Sequence, residues 1–172
     1  MKAILSKLFE HEVLSKAEAR EVLLGIARGT YNDVQVASFV TVYQMRAITI
    51  QELEGFRDAL LELAVPFSLN GETTIDIVGT GGDGANLFNV STASSFVAAA
   101  GGAHVAKHGN RSVSSSSGSA DLFDIAGIYL DLKPEQVARC IEQVGVGFMF
   151  APNHHPAMRY AIGTRREMGV RT

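Results

Sequence analysis

Two segments of the chain combine glycine, hydroxyl and cationic residues in the manner of anion-binding loops. The first, GTGGDGANLFNVST at 79–92, places several glycines ahead of hydroxyl residues that can begin a helix. Glycines let backbone N–H groups converge, and a helix N-terminus adds positive potential, so this segment suits a phosphate or diphosphate. Its glycine spacing matches neither a P-loop nor a dinucleotide-binding fingerprint.

The second segment is KHGNRSVSSSSGS at 107–119. A serine run alone is typical of a flexible linker. Here Lys107 and Arg111 precede the serines and a helix start follows them, so charge and fixed donors come together. The two segments together favour a phosphorylated small-molecule ligand over a purely structural connection.

The other chemistry-bearing residues carry weaker signals. The pair His154 and His155 has no Cys or acidic neighbour and is more typical of a structural helix entry than of a metal site. Arg165 falls near a turn where a carboxylate could bind, but exposed helix arginines are common. Asp121 and Asp124 have helical spacing, which is equally typical of a solvated helix face. The sequence has neither a Ser-His-Asp order nor a Cys/His metal spacing.

Residues 1–64 predict a compact unit of about four helices. Ser15 with Glu18, and Thr49 with Glu52, form capping boxes, and Asn32 can cap a further helix. So small a unit leaves apolar faces exposed, which predicts a partner surface. Residues 65–72 contain Val65-Pro66 and are interpreted as a linker.

After the linker the pattern changes to strands that alternate with helices. Strands are predicted at 74–78, 103–106 and 146–150, and helices at 93–100, 119–126, 134–143 and 156–168, the first of them capped by Ser91 or Thr92. This order predicts an α/β fold with a parallel sheet, whose carboxyl edge would carry both loops. Three strands make a thin sheet, so we expect this region to be the first part of a larger α/β domain.

Composition excludes several classes of protein. The chain has 172 residues, 47% hydrophobic and 19% charged, which is globular composition rather than that of a disordered tail or coiled coil. Its net charge of -3 argues against a basic nucleic-acid binder. The single cysteine, Cys140, predicts no internal disulfide, and we expect no signal peptide, no membrane span and a cytoplasmic location.

The two loops, together with LDLKPEQVARC at 130–140 and FAPNHHPAMRYAIGTRREMGVRT at 150–172, resemble the anthranilate phosphoribosyltransferase family of tryptophan biosynthesis. The resemblance covers the whole chain but only the N-terminal half of the family's length. It implies a helical dimerisation domain at 1–64, a linker at 65–72, and an incomplete α/β domain at 73–172 of the nucleoside phosphorylase and phosphoribosyltransferase type. The implied partners are a second copy of the chain and two substrates, phosphoribosyl pyrophosphate (PRPP) and anthranilate, with no nucleic acid and no membrane.

The resemblance implies transfer of phosphoribose from PRPP to the anthranilate amine, with release of pyrophosphate. No distinct catalytic acid or base is implied, because positioning of an arylamine can replace one. Gly79, Asn110 and Arg165 would contact anthranilate. Ser91 would bind one of two Mg²⁺ ions, and the ligands of the second would lie outside this chain. The implied PRPP contacts are Gly79, Gly82, Asp83, Asn89, Val90, Ser91, Thr92, Lys107, His108, Gly109, Asn110, Arg111, Ser112, Val113, Ser114, Ser115 and Ser119.

Two residues depart from the family pattern. Leu87 stands where the family usually has a Ser or Thr that contacts PRPP, and Ser116 stands where Lys is frequent. The chain alone is expected to be inactive or nearly so. Three alternatives remain open: a nucleoside phosphorylase of similar architecture, a nucleic-acid-binding relative of the same fold, and an interaction module.

Overall fold

The structure is a computed structural model that describes residues 1–69, 71, 73–79, 88–112 and 118–170. By packing, the chain forms a helical unit, which comprises Met1–Ala64 and the segment from His155 onward, and an α/β unit, Val65–His154. The elements in chain order are α1 (Lys2–Phe9), α2 (Lys16–Ala27), α3 (Asp33–Met45), α4 (Ile50–Leu63), β1 (Thr74–Ile75), α5 (Val90–Ala100), β2 (His104–Gly109), α6 (Ser119–Ile125), α7 (Pro134–Val144), β3 (Val146–Phe150), α8 (Ala151–His154), a 3₁₀ turn (Pro156–Met158) and α9 (Arg159–Glu167). Within the described ranges, no helix combines the length and apolar character that crossing a bilayer requires.

Side-chain caps set the starts of α2, α3 and α4. Ser15, Asn32 and Thr49 each accept a hydrogen bond from the backbone N–H three residues later, and the side chain at that later position bonds back to the cap. These reciprocal bonds satisfy N–H groups that a helix leaves unpaired at its start. The predicted caps and the four predicted helices of 1–64 are confirmed.

The core of the helical unit also includes part of the last segment of the chain. Ala161 of α9 is buried in it, and the Thr164 hydroxyl donates to the Asp33 carboxylate at 3.1 Å. The other buried core residues are Leu8, Leu14, Ala19, Val22, Ile26, Val36 and Phe39. The prediction placed 155–172 with the α/β domain. The packing differs from it, because the buried face of α9 completes the helical core.

Glu52 is fully buried in this unit. Its carboxylate accepts hydrogen bonds from the Leu14 N–H at 3.0 Å, the Thr49 N–H at 2.9 Å, the Tyr43 hydroxyl at 3.0 Å and Arg46 Nη1 at 3.0 Å. Burial by itself would raise the pKa of the Glu52 carboxyl, but the bonds from Arg46, Leu14 and Thr49 hold that pKa below its usual range. The cap of α4 is therefore also a hub that joins α3, α4 and the segment before α2.

Three parallel strands form the sheet of the α/β unit, in the order β1-β2-β3. Thr74 pairs with His104, and the pairing of β2 with β3 runs from Val105 with Val146 to Gly109 with Phe150. Helices supply the crossovers that parallel strands need. The predicted α/β class with a parallel sheet is confirmed.

Helices cover both faces of this sheet. On one face, a side chain added at Gly147 would meet Ile141 of α7. On the other face, the Phe123 ring of α6 lies 4.6 Å from that of Phe148, between centroids. Residues in register on neighbouring strands point to the same face, so Lys107, the partner of Phe148, lies on the α6 face.

Several element boundaries differ from prediction. β1 is shorter than 74–78, because the Asp76 carboxylate accepts the His108 N–H at 3.2 Å where the strand pairing stops. β2 is longer than 103–106 and ends at Gly109. The helix predicted at 156–168 begins as a 3₁₀ turn and becomes α-helical at Arg159, and Pro156 disfavours helical geometry in the residue before it.

Candidate active site

The described parts of the two predicted loops leave the sheet at one edge. β1 leads into Asp76 and Gly79, and β2 ends at Gly109. The hydrogen bond from the His108 N–H to Asp76 joins the two segments just beyond the pairing of β1 with β2. This is the carboxyl edge of the sheet, where open α/β sheets bind ligands.

Lys107 provides a buried positive charge at this edge. The residue is only 1% exposed, and its ammonium donates to the Ile77 carbonyl at 2.7 Å and to the Ser91 hydroxyl at 3.4 Å. Burial lowers the pKa of Lys107, and the nearby Asp76 carboxylate opposes that effect. The register of β2 thus places a cation between the end of β1 and the start of α5.

Asn89 caps α5, so the hydroxyls of Ser91 and Thr92 do not serve as the helix cap. Its side-chain oxygen accepts the Thr92 N–H at 3.1 Å and the Ser91 hydroxyl at 3.2 Å. The prediction that Ser91 or Thr92 is the cap is wrong, because the Asn side chain reaches the third N–H of a helix that begins at Val90. Thr92 is fully buried, and its hydroxyl has no hydrogen-bond partner among the residues that the structure describes.

Close backbone packing shapes the start and end of the second loop. A Cβ added at Gly109 would collide with the Ser119 hydroxyl, and one added at Gly118 would collide with the Ser112 nitrogen. The Asn110 carbonyl accepts the Ser119 hydroxyl at 3.4 Å. At Gly118 the obstacle is backbone, so this position needs glycine, whereas at Gly109 the obstacles are the side chains of Ser119 and Phe148.

Two carboxylates of α6 bind the cation of this loop. Arg111 Nη1 lies 3.1 Å from Asp121 Oδ1, and Nη2 lies 3.0 Å from Asp124 Oδ2. Asp121 Oδ2 also accepts the N–H groups of Ser112 and Gly118, each at 2.8 Å. The interpretation of these acids as a solvated helix face therefore missed the role of Asp121. A signal was present, since an acidic third residue of a helix commonly bonds back to the cap N–H.

The structure places Arg165 on α9 and His154 on α8. Arg165 lies half-buried on α9 in the helical unit, and its role stays a prediction. His154 is buried in the α/β unit, where its ring packs edge to face on Phe67 at 6.2 Å between centroids. The His154 carbonyl accepts the Val65 N–H at 2.9 Å, which favours the structural interpretation of the histidine pair and ties the start of the predicted linker to this unit.

The predicted PRPP contacts divide by position. The described ones end β1 or β2, or begin α5 or α6, and they are Gly79, Asn89, Val90, Ser91, Thr92, Lys107, His108, Gly109, Asn110, Arg111, Ser112 and Ser119. The remaining ones lie outside the described residues, and they are Gly82, Asp83, Val113, Ser114 and Ser115. Leu87, which departs from the family pattern, lies outside them as well.

The polar groups at this edge suit a magnesium ion that arrives with a ligand. Among the described residues, no group of three or more His, Cys, Asp or Glu side chains could hold a metal by itself. Ser91 supplies a neutral hydroxyl oxygen beside the Asn89 amide and the Lys107 ammonium. Mg²⁺ commonly keeps water and substrate phosphate oxygens and takes few protein ligands, so these residues fit an ion carried by a diphosphate.

A buried lysine, a helix N-terminus and close-packed glycines together can bind a polyanion. The charge is fixed and partly shielded from water, which strengthens its interaction with developing negative charge. The site is thus suited to a phosphorylated ligand at the carboxyl edge of a parallel sheet.

Comparison with known families shows which family the chain belongs to. Residues 71–172 match the α/β domain of the glycosyl transferase family, and residues 2–64 match the helical bundle domain of the same family. The chain therefore belongs to this glycosyl transferase family.

The curated relatives indicate one kind of enzyme within this family. The chain is 54% identical over 172 residues to an anthranilate phosphoribosyltransferase of Marinobacter nauticus and 56% identical over 172 residues to one of Chromohalobacter salexigens. Each match covers 100% of this chain and 50% of the relative. The chain thus spans about half the length of the curated relatives it matches.

Solved structures of the same kind of enzyme have similar folds. Anthranilate phosphoribosyltransferase from Thermus thermophilus matches with a TM-score of 0.86 and 43% identity, over 98% of this chain and 51% of that one. The Saccharomyces cerevisiae enzyme in complex with PRPP and Mg matches with a TM-score of 0.84 and 28% identity, over 98% and 51%. The same yeast enzyme in complex with 4-fluoroanthranilate matches with a TM-score of 0.81 and 26% identity, over 98% and 49%.

Proposed function

We propose that the chain supplies the PRPP-binding loops of an anthranilate phosphoribosyltransferase. The reaction would join the amine of anthranilate to C1 of phosphoribose and release pyrophosphate. The identity to two curated relatives and the fold shared with a yeast relative solved with PRPP and Mg support this proposal. Because the chain spans about half of the curated relatives, we expect weak turnover or none from it alone.

The observation that carries the proposal is the position of Lys107. Its buried ammonium lies against Ile77 and Ser91, beside the N-terminus of α5. A diphosphate bound at that N-terminus would meet both a cation and the helix dipole. A cation that is already desolvated pays little further cost on binding an anion, which favours a strong charge-assisted contact.

In the proposed reaction, opposite charges develop on the ribose and on the leaving group. As the bond from C1 to the pyrophosphate oxygen breaks, positive charge grows on the ribose and negative charge on the leaving group. Lys107 and the α5 N-terminus would stabilise the leaving pyrophosphate. The amine nitrogen forms the new bond to C1 and then loses its proton to water, and holding the nitrogen in place replaces a dedicated base.

Magnesium would enter this site on PRPP. We propose two ions, as the family resemblance implies, with the Ser91 hydroxyl as a ligand of one and the ligands of the other outside this chain. The ions would supply positive charge to the pyrophosphate as it leaves. Ser91 would then be held in place by its bond to Asn89, at 3.2 Å.

The anthranilate contacts are proposed from the resemblance. They are Gly79, Asn110 and Arg165, with Arg165 facing the carboxylate. The change Arg165→Ala should weaken anthranilate binding in a whole enzyme that contains this sequence while PRPP binding stays unchanged. Leu87 removes one hydroxyl contact to PRPP relative to the family pattern.

Isothermal titration of this chain with PRPP and Mg²⁺ tests the proposal. Lys107→Met keeps the length of the side chain and removes the charge, so the affinity should fall about tenfold to a hundredfold, the range for a hydrogen bond to a charged group. Lys133→Met, at an exposed position before α7, is the matched control and should leave the affinity unchanged. Equal affinities for all three proteins would contradict the proposed site.

We further propose a homodimer through the helical unit and a cytoplasmic location. Met45, Ile50 and Leu61 are exposed by 83%, 78% and 66%, which supports a covered apolar surface in the assembly. Light scattering of the chain and of Ile50→Glu tests this, with a dimer expected for the first and a monomer for the second. The whole chain is needed for this test, because Ala161 of α9 is part of the helical core.

A further inference from the structure

A single carboxylate oxygen joins two positions of the serine-rich loop. Asp121 Oδ2 accepts the N–H of Ser112 and the N–H of Gly118, each at 2.8 Å. The two nitrogens are therefore no more than twice 2.8 Å apart. An extended chain between these positions could span roughly 20 Å, so the carboxylate helps hold Ser112 and Gly118 close together.

The backbone at Gly118 packs closely against the backbone from Asn110 to Ser112. A Cβ at Gly118 would meet the Ser112 nitrogen and the Asn110 carbonyl oxygen. Asp121 Oδ1 also binds Arg111 Nη1 at 3.1 Å. Hydrogen bonds and steric contact thus bring the same two stretches together, and Asp121 supplies the polar part.

Asp121 is itself held firmly. It lies on α6, whose Ala120 and Phe123 are buried, 0% and 3% exposed, and the Phe123 ring packs on Phe148 of β3. A helix anchored in the core gives the carboxylate a fixed position relative to the sheet. The neighbouring Asp124 is more exposed and bonds only to the Arg111 side chain among the described contacts.

We infer that Asp121 is a positioning residue of the site, whose carboxylate closes the serine-rich loop at Ser112 and Gly118. What the loop binds rests on the proposed function, whereas the closure does not. The N–H groups of Ser112 and Gly118 donate to Asp121, so we expect neither of these two N–H groups to bind a phosphate. Asp121 would act through the loop and touch no reacting atom.

Amide hydrogen exchange, measured by NMR on the whole chain, tests the closure. In Asp121→Ala the Ser112 and Gly118 amides should exchange about tenfold faster or more, since each loses a hydrogen bond to a charged acceptor. Asp124→Asn removes only a contact to Arg111 and should leave both rates within about twofold. Asp121→Leu, which keeps the branched shape of the side chain but has no acceptor, replaces the alanine variant if that variant does not fold.

Titration with PRPP and Mg²⁺ distinguishes a role of Asp121 in positioning the loop from a role only in capping α6. Gln136 caps α7 through the Lys133 N–H at 2.9 Å, so Gln136→Ala loses a comparable cap and should keep wild-type affinity. Asp121→Ala should bind about tenfold more weakly.

Unchanged exchange at Ser112 and Gly118 in the Asp121 variants would overturn the inference, as would equal acceleration in Asp124→Asn. Wild-type affinity in Asp121→Ala would overturn the positioning role. If the wild-type chain does not bind PRPP, the proposed function fails for this chain, and the exchange rates still decide whether Asp121 closes the loop.

Discussion

Replacing Glu52 with glutamine should destabilise the helical unit by about 3–5 kcal/mol, the cost of breaking a buried charged pair. The carboxylate is 0% exposed and accepts bonds from Leu14, Tyr43, Arg46 and Thr49. Glutamine keeps the shape but has one oxygen, and its NH₂ group would face donors. Some of those donors, including the Arg46 charge, would lose their acceptor in a buried place.

The chain contains a matched control in Glu18→Gln. Glu18 occupies the same third position of a capping box and accepts the Ser15 N–H at 2.8 Å, but 35% of its side chain is exposed. Its replacement should cost about 0.5–1 kcal/mol, because water can satisfy the groups left behind. Urea unfolding followed by circular dichroism measures both changes.

The difference between the wild type and Glu52→Gln should depend on pH. The folded pKa of Glu52 is lowered, so its stabilisation is present above the unfolded pKa of about 4.3 and is lost as pH falls through the folded value. Hydrogen bonds from Ser15, and then from Lys7, lower the pKa of Glu18 to about 2, so its smaller contribution follows the same direction. Equal losses for the two variants, or a Glu52 effect that does not shrink below pH 4, would refute this reasoning.

Four further changes have expected outcomes. Asn89→Ala should destabilise α5 by about 1 kcal/mol in thermal unfolding, as should Asn32→Ala in α3, because each removes an N-cap. Gly118→Ala should weaken binding of PRPP with Mg²⁺ in a titration, because the added Cβ collides with the Ser112 backbone nitrogen. Gly163→Ala, in α9 where a Cβ meets open space, should instead raise stability by about 0.5–1 kcal/mol in urea unfolding.

The α/β unit was predictable wherever a local signal was complete. Pro134 predicted the start of α7, and the run from Val146 to Phe150 predicted β3, because both signals lie within a few residues. The cap of α5 was not predicted, because Asn89, Ser91 and Thr92 can all cap a helix and only the backbone path selects among them.

The candidate site was also predicted only where the signal is local in sequence. Glycine, lysine and serine types predicted an anion site, because those groups have few other uses in such density after a strand. The burial of Lys107 and the bonds of Asp121 to Ser112 and Gly118 were not predicted. Lys107 contacts residues far from it in sequence, and the bond between Ser112 and Asp121 depends on where α6 rests on the sheet. The bond between Gly118 and Asp121 is a local helix-cap pattern whose signal was overlooked.

The sequence by itself determined where α2, α3, α4 and α7 begin and what charges each loop carries, since these depend on groups within a few residues of one another. Ser15 with Glu18 and Thr49 with Glu52 are the same motif at that level. Tertiary structure alone decided that Glu52 is buried, because α4 crosses α2 so closely at Gly55 that an added Cβ would lie 2.8 Å from Ala19 Cβ. Burial is a property of packing between elements, and packing converts one capping box into a hub and leaves the other at the surface.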